Sequence, residues 1–378
     1  MKINIVGGGP GGLFFSYLIK RRFPDWIVRV FEQNDASATY GWGVVFSDVA
    51  LSFLEKSDPG FFRRFTTGHV RSDHMEIVHR GVHVPIQGNC FSRVARIALL
   101  QFLHAECRSV GVELQFNSQV DDMTTLRQAD LVVVADGVNS RTRTQYADAF
   151  KPSFVQRRNK FAWYGTSKLF HAVSLIFRET EFGVFIAHGY AYSDRMSTFL
   201  IETDPLTWAR AGLGEMDDAD SRAFCEKVFA DDLDGHGLLS NKSAWFEAVT
   251  VKNENWHHEN MVLIGDALRS VHFSLGSGTR MAMEDSIALY EGLCAHATDL
   301  DAAFGHFEVS RRSASERFQD AAAKSLDWYE NVGDKLHLDP VGFTYDYMRR
   351  TGRVTHDDLR HRAPAFIRQY ESIYGVST

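Results

Sequence analysis

Ile3-Asn4-Ile5-Val6-Gly7-Gly8-Gly9-Pro10-Gly11-Gly12 runs an apolar strand straight into a glycine turn, and its reading decides the fold. Gly7, Gly9 and Gly12 have G-x-G-x-x-G spacing. The first glycine allows the tight turn, the second lets backbone approach a pyrophosphate, and the third lets a helix lie close to the strand. A helix is expected from about Gly11 to Arg22, stopped by Pro24, with a second strand over Val28 to Glu32. That βαβ order presents free N–H groups at the helix start to phosphates. Glu32 follows the last glycine by roughly 20 residues, where an acid accepts hydrogen bonds from ribose hydroxyls. Pro10 and Gln33 flank these positions and join the expected cofactor set. The pattern predicts dinucleotide binding and does not by itself separate FAD from NAD.

Outward from this unit, a helix is expected over Asp48 to Lys56 and short strands over 70–88, where Met75, Ile77, Val82, Val84 and Ile86 alternate with polar residues. Arg93 to Val110 has helical periodicity, followed by strands at Glu113 to Asn117 and Leu131 to Ala135. Phe161 to Thr203 is strand-rich and aromatic, which suggests a separate antiparallel layer. Residues 205–232 read as helical, Met261 to Ile264 as a buried strand, and Gly278 to Ala295 as a helix. The remainder is helical, broken near Gly333 and Asp339-Pro340.

Composition narrows the class. The 378 residues suffice for two or three domains, and 44% hydrophobic with 13% aromatic content fits a packed globular enzyme. A net charge of -7 without a long basic run argues against nucleic acid as a partner. The 4 cysteines have no C-x-x-C spacing, which argues against zinc or a disulfide framework and suits a reducing cytoplasm. No metal is expected: His257-His258 has no third ligand at zinc spacing. The chain enters its first strand too early for a signal peptide, and no apolar run approaches the ~20 residues of a membrane span.

Two further motifs separate the cofactors. Asp130 to Arg143 reads DLVVVADGVNSRTR, and Met261 to Asp285 reads MVLIGDALRSVHFSLGSGTRMAMED. With the first loop they resemble, in order and spacing, the three fingerprints of the class A FAD-dependent aromatic hydroxylases of the p-hydroxybenzoate hydroxylase type. Leu268, Arg269 and Ser270 follow the GDA, with Arg269 where most of that family has a histidine, and His272-Phe273-Ser274 stands where its prolines would be. GWGVVFSD at 41–48, HFSLGSGT at 272–279, WYGTSKLF at 163–170 and the tail LDPVGFTYDYM to RAPAF look like the salicylyl-CoA 5-hydroxylase and 2-aminobenzoyl-CoA monooxygenase group. The violacein-pathway tryptophan hydroxylases are similar at a greater distance.

The resemblance implies an α/β fold: a Rossmann-like FAD-binding domain (1–72, 90–153 and 256–300), an inserted antiparallel-sheet substrate domain (73–89 and 154–255), and a helical C-terminal region (301–378). It implies that NADH or NADPH reduces the flavin as a transient co-substrate, that O2 adds at the flavin C4a carbon, and that the hydroperoxide oxygenates an aromatic ring. Asp136, Gly137, Ser140 and Arg143 would serve FAD and pyridine nucleotide. Arg96 would reach the pyrophosphate and Asp266, after Gly265, a ribityl hydroxyl. Val44 and Val45 would lend backbone to the isoalloxazine, and Gly276, Ser277, Gly278 and Thr279 would start a helix facing the reduced ring.

Strand alternation puts Ile186, His188 and Tyr190 on one face. The resemblance turns that face to the flavin, with His188 as acceptor of a ring hydroxyl or amine proton, Tyr190 orienting, Ile186 and Phe273 touching substrate, and His272 beside the flavin. Arg157-Arg158 and Arg349-Arg350 could meet CoA phosphates, although solvated surface pairs are commoner. The expected partners are a small aromatic substrate, CoA-linked in the leading reading, and O2; a homodimer is one option. Two other readings stand: a hydroxylase of a free indole or aromatic metabolite, and a flavin-binding protein or reductase that does not hydroxylate.

Overall fold

The structure, a computed structural model, describes residues 1–39, 41–241, 243–271 and 275–375. Among these, two sheets organise the chain. In the first, Lys2–Val6 lies between Ile27–Phe31 and Leu131–Val134, all parallel. Glu113–Gln115 extends one side in parallel, and Met261–Leu263 with the antiparallel His257–His258 extends the other. Leu131–Val134 is buried throughout, as a central parallel strand covered by helices on both faces must be. The helix Pro10–Arg22 begins on Pro10, whose missing N–H and fixed φ suit a first helical turn, and it ends before Pro24. It packs on the helix Gly278–His296, where the Ser286 hydroxyl donates to the Gly11 carbonyl at 2.8 Å.

The second sheet runs in the order Leu238–Leu239, Pro152–Thr166, Ser197–Thr203, Gly183–Ala191, Val173–Thr180, Val70–His79, Val82–Ala95 and Gly43–Ser47, with Phe246–Asn253 also paired to Pro152–Thr166. Alternation along Gly183–Ala191 divides its two faces. Val184 and Ile186 enter a core with Trp328, Tyr329 and Phe343 of the C-terminal helices. Phe185 and Ala187 enter the opposite core with Phe229 and Leu233. The C-terminal helices therefore cover part of the face that carries His188.

The helix expected from Arg93 starts instead at Arg96. Arg93 is still in a strand, paired with Val45 and Val70. Its buried guanidinium donates to the carbonyls of Phe170, His171 and Ala172, contacts no periodicity count can register. For the same reason the expected boundaries at 72/73 and 89/90 fall inside Val70–His79 and Val82–Ala95. Gly43–Ser47, expected with the dinucleotide domain, closes the edge of the second sheet.

Candidate functional site

The glycine turn is built for close approach. Gly7 has φ +105°, and a Cβ there would lie 2.3 Å from the Ala135 carbonyl oxygen. A Cβ on Gly12 would lie 2.4 Å from the Gly7 oxygen, so strand, helix and the chain after Leu131–Val134 meet at backbone contact. Gly9 differs: it caps the helix without a side-chain hydrogen bond, and nothing lies within 4 Å of its would-be Cβ. The Glu32 carboxylate accepts from the Gly8 N–H at 2.8 Å and from the Asn34 backbone and side-chain nitrogens at 2.8 and 2.7 Å. That fixes it beside the turn.

These residues open onto a cleft of about 440 Å³ lined by Gly7, Gly9, Glu32, Gln33, Arg96 and Asp136 among others. Leu100 and His104 line it too, one and two turns after Arg96 on the same helical face. That i, i+4, i+8 spacing is a signal the sequence carries outside any of its motifs. The loop with Phe116, Ser118, Gln119 and Val120 completes the wall and has no motif to announce it. Asp136 is pushed above the usual carboxylate range by burial. Its Oδ2 accepts from the Thr142 N–H at 3.3 Å, while its buried Oδ1 has no hydrogen-bond partner. An orphaned acceptor, an open glycine and an uncapped helix start together fit a ligand bearing hydroxyls and a pyrophosphate. Arg143, expected to serve nucleotide, donates instead to the carbonyls of Val138 (2.5 Å) and Ala267 (3.0 Å), tying the second motif to the third.

Asp266 does not line this cleft, but its charge acts on Arg96, which does. Burial lowers the Arg96 guanidinium from its ordinary value, and Asp266 and Tyr190 pull it back up. Asp266 keeps solvent access yet sits deep in protein, and that desolvation pushes its carboxyl up against the pull of Arg96 and Arg269. The third motif closes around it. A Cβ on Gly278 would be 3.9 Å from Asp266 Oδ1, and one on Gly276 (φ +59°) would be 3.5 Å from Val45. Ser277 precedes the helix without capping it, its hydroxyl donating to Leu275 O, so the N–H groups at Gly278 and Thr279 have no side-chain cap. Val44 and Val45 lie on the edge strand Gly43–Ser47, with half of its backbone turned away from the sheet. The turn at Gly276–Gly278 thus lies between Val45 on this edge and Asp266.

A carboxyl whose folded-state value is raised favours the fold while protonated and opposes it as pH rises through that value. Asp266→Asn is therefore expected to raise the melting temperature of the FAD-free protein at about pH 8 and to leave it unchanged near about pH 4. The same change is expected to weaken FAD binding, because the amide is a poorer acceptor than the ion. Thermal melting of apoprotein at both pH values, with a flavin titration, checks this. Equal stability at high pH would show that Asp266 carries no desolvation cost.

On the second sheet, Tyr190 donates to the Gly43 carbonyl at 2.9 Å, which pins the edge strand to the face that bears His188. His188 is buried, with Nε2 3.3 Å from Glu202 and its ring 5.5 Å from that of Tyr329. Ile186 belongs to the packing with the C-terminal helices. His272 and Phe273 lie outside the described residues. The arginine pairs are committed elsewhere: Arg157 to Asp327, Arg158 to Glu330, Arg349 to Tyr345, and Arg350 to Ser325 and the Tyr347 ring.

Comparison with known proteins agrees with this geometry. A family model described as FAD binding domain matches residues 1–303. Salicyloyl-CoA 5-hydroxylase of a Streptomyces species is 38% identical over 361 residues, covering 93% of this chain and 70% of that one. Protodeoxyviolaceinate monooxygenase of Chromobacterium violaceum is 36% identical over 363 residues, covering 93% and 94%. Among solved structures, 2-methyl-3-hydroxypyridine-5-carboxylic acid oxygenase superposes with a TM-score of 0.69 over 95% of both chains at 17% identity, which shows a shared fold.

Proposed function

The chain belongs to the FAD-binding-domain family of flavin-dependent aromatic hydroxylases, and from that membership we propose that its substrate is an aromatic acyl thioester of the salicyloyl-CoA kind. When bound, FAD supplies electrons drawn from NADH or NADPH and activates O2 toward the ring. The chain's own part is to bind, orient and exclude water. Gly7, Gly9 and Gly12 with the helix start at Pro10 would cradle the pyrophosphate opposite Arg96. Glu32 would hold the adenosine ribose, and Asp266 the ribityl chain. The edge at Val44–Val45 and the turn at 276–279 would frame the ring system. His188 would take the proton of a ring hydroxyl or amine, which raises electron density at the carbon to be oxygenated. A cytoplasmic setting accords with the demand for NAD(P)H and acyl-CoA.

The observation that carries the thioester reading is the 38% identity to salicyloyl-CoA 5-hydroxylase across 93% of this chain. One observation favours a free indole-type substrate instead: protodeoxyviolaceinate monooxygenase matches over 94% of its own length, against 70% for the thioester enzyme. NAD(P)H oxidation by the FAD-loaded enzyme, with product analysis, separates the two. Salicyloyl-CoA or 2-aminobenzoyl-CoA is expected to stimulate oxidation at least about tenfold and to yield a ring-hydroxylated thioester. Stimulation by tryptophan or indole derivatives alone would move the substrate to the second class. No stimulation by any aromatic compound would remove the hydroxylase reading.

A further inference from the structure

Three adjacent strands of the second sheet carry a polar diagonal through an apolar face. His188 on Gly183–Ala191 stands opposite Leu200 in register, and Glu202 follows two residues along Ser197–Thr203. Glu202 in turn stands opposite Phe161, and Asn159 lies two residues away on Pro152–Thr166. Diagonal neighbours at this spacing are within reach of long side chains. The contacts are made: Asn159 Nδ2 donates to Glu202 Oε1 at 2.7 Å, and Glu202 Oε2 lies 3.3 Å from His188 Nε2.

Glu202 is fully buried and Asn159 is 1% exposed. Among the described residues, His188 is the one basic side chain within 4.0 Å of the Glu202 carboxylate. A buried acid without an arginine or lysine is costly, and packing alone would be served better by an apolar residue. What such an acid does well is orient an imidazole. An ionised carboxylate only accepts, so against one the facing ring nitrogen carries the proton. We propose that Glu202 is a positioning residue that fixes His188 in the Nε2–H tautomer, with Asn159 holding Glu202 in place, so that Nδ1 keeps the lone pair that accepts the substrate proton.

When His188 takes that proton, the N–H bond forms at Nδ1, the O–H or N–H bond of the substrate breaks, and its electron pair stays on the ring substituent. The imidazolium then lies against Glu202, which stabilises it. Other polar groups face the pair from the C-terminal helices: Tyr329, whose hydroxyl donates to Tyr347 at 3.3 Å, and Arg350 over the Tyr347 ring at 3.8 Å. The inference rests on the reading of His188 as proton acceptor.

Glu202→Gln is the decisive variant, because an amide turned to donate to Nε2 forces the proton onto Nδ1. In nitrogen NMR of FAD-loaded, histidine-labelled enzyme, with His188 assigned by its loss in His188→Asn, the wild type is expected to show Nε2 protonated and Nδ1 unprotonated. Glu202→Gln is expected to reverse them. Nδ1 protonated in the resting wild type, alone or together with Nε2, overturns the proposal, as does an unchanged pattern in the variant. In turnover with salicyloyl-CoA, Glu202→Gln is expected to lower kcat by about 10³-fold, by analogy with tautomer reversal in hydrolytic triads. FAD content and melting temperature should hold. The deficit should shrink as rising pH ionises the substrate phenol unaided; a deficit constant with pH would mark a merely structural role. Wild type inert to every aromatic compound would defeat the substrate reading, and the NMR result would still decide the dyad.

Discussion

Gly9→Val is expected to give a folded protein that cannot retain flavin, whereas Gly7→Ala is expected to damage the fold itself. The two glycines sit two residues apart in one turn, and their surroundings are opposite. Gly9 has φ -76° and ψ 174°, which any residue adopts, and open space where a side chain would go. A valine there strains nothing in the protein but fills the approach to the helix start, where a pyrophosphate needs backbone N–H groups within hydrogen-bond distance. Losing two or three such charge-assisted bonds lowers FAD affinity by at least about 10²-fold, or about 3 kcal/mol. Gly7 has φ +105°, and a methyl group would press on the Ala135 carbonyl oxygen from 2.3 Å. The backbone strain costs about 1–3 kcal/mol and the overlap a similar amount again. Thermal melting of apoprotein separates the outcomes from flavin absorbance in the purified holoenzyme. Gly9→Val with wild-type melting and no colour supports the assignment of the open side to the pyrophosphate. Gly9→Val that stays yellow would move the cofactor away from this turn.

The contrast also shows what was legible in the chain. G-x-G-x-x-G can be read from sequence because its three glycines answer to one local geometry, and Glu32 is found by counting along the next strand. Strand alternation likewise put His188 and Tyr190 on a shared face, because a period of two survives without knowledge of neighbours. What pairs across the sheet is another matter. Glu202 lies 14 residues after His188 and 43 after Asn159, and only the register of three strands makes them diagonal neighbours. Arg93 reads as the head of a helix until its side chain is seen spanning to the Phe170–Ala172 carbonyls. Gly43–Ser47 falls within the expected nucleotide domain because an edge strand of five residues has too little pattern to declare its partner. Long-range partners, not local propensity, decide those positions.

The same blindness hides the ion network behind the third motif, and its removal should have the largest effect on stability. Asp285 is fully buried and binds Arg269 through two bonds of 2.6 and 2.7 Å. It also accepts from Arg311 Nε at 3.0 Å and from the Gly265 N–H at 3.0 Å. Gly265 carries Asp266, so one carboxylate anchors the turn that presents the ribityl acceptor. Asp285→Asn leaves two guanidiniums with less than their countercharge, Arg269 among them with its side chain 3% exposed. Breaking a buried pair from the acid side costs about 3–5 kcal/mol. Scaled to 378 residues, that is a fall in Tm of about 5 °C, with faster FAD loss because the Gly265–Asp266 turn loses its tether. Arg269→Met should cost less, since Asp285 keeps Arg311 and the Gly265 N–H, and Arg311 is shared with Glu284 at 2.9 Å. Neither effect should fade in high salt, because the pair is sealed from counterions. Thermal melting and flavin release rates of both variants test the ordering. If Arg269→Met proves the more damaging, the arginine's packing against Trp256, at 5.7 Å from the ring centroid, holds the third motif and the buried charge does not.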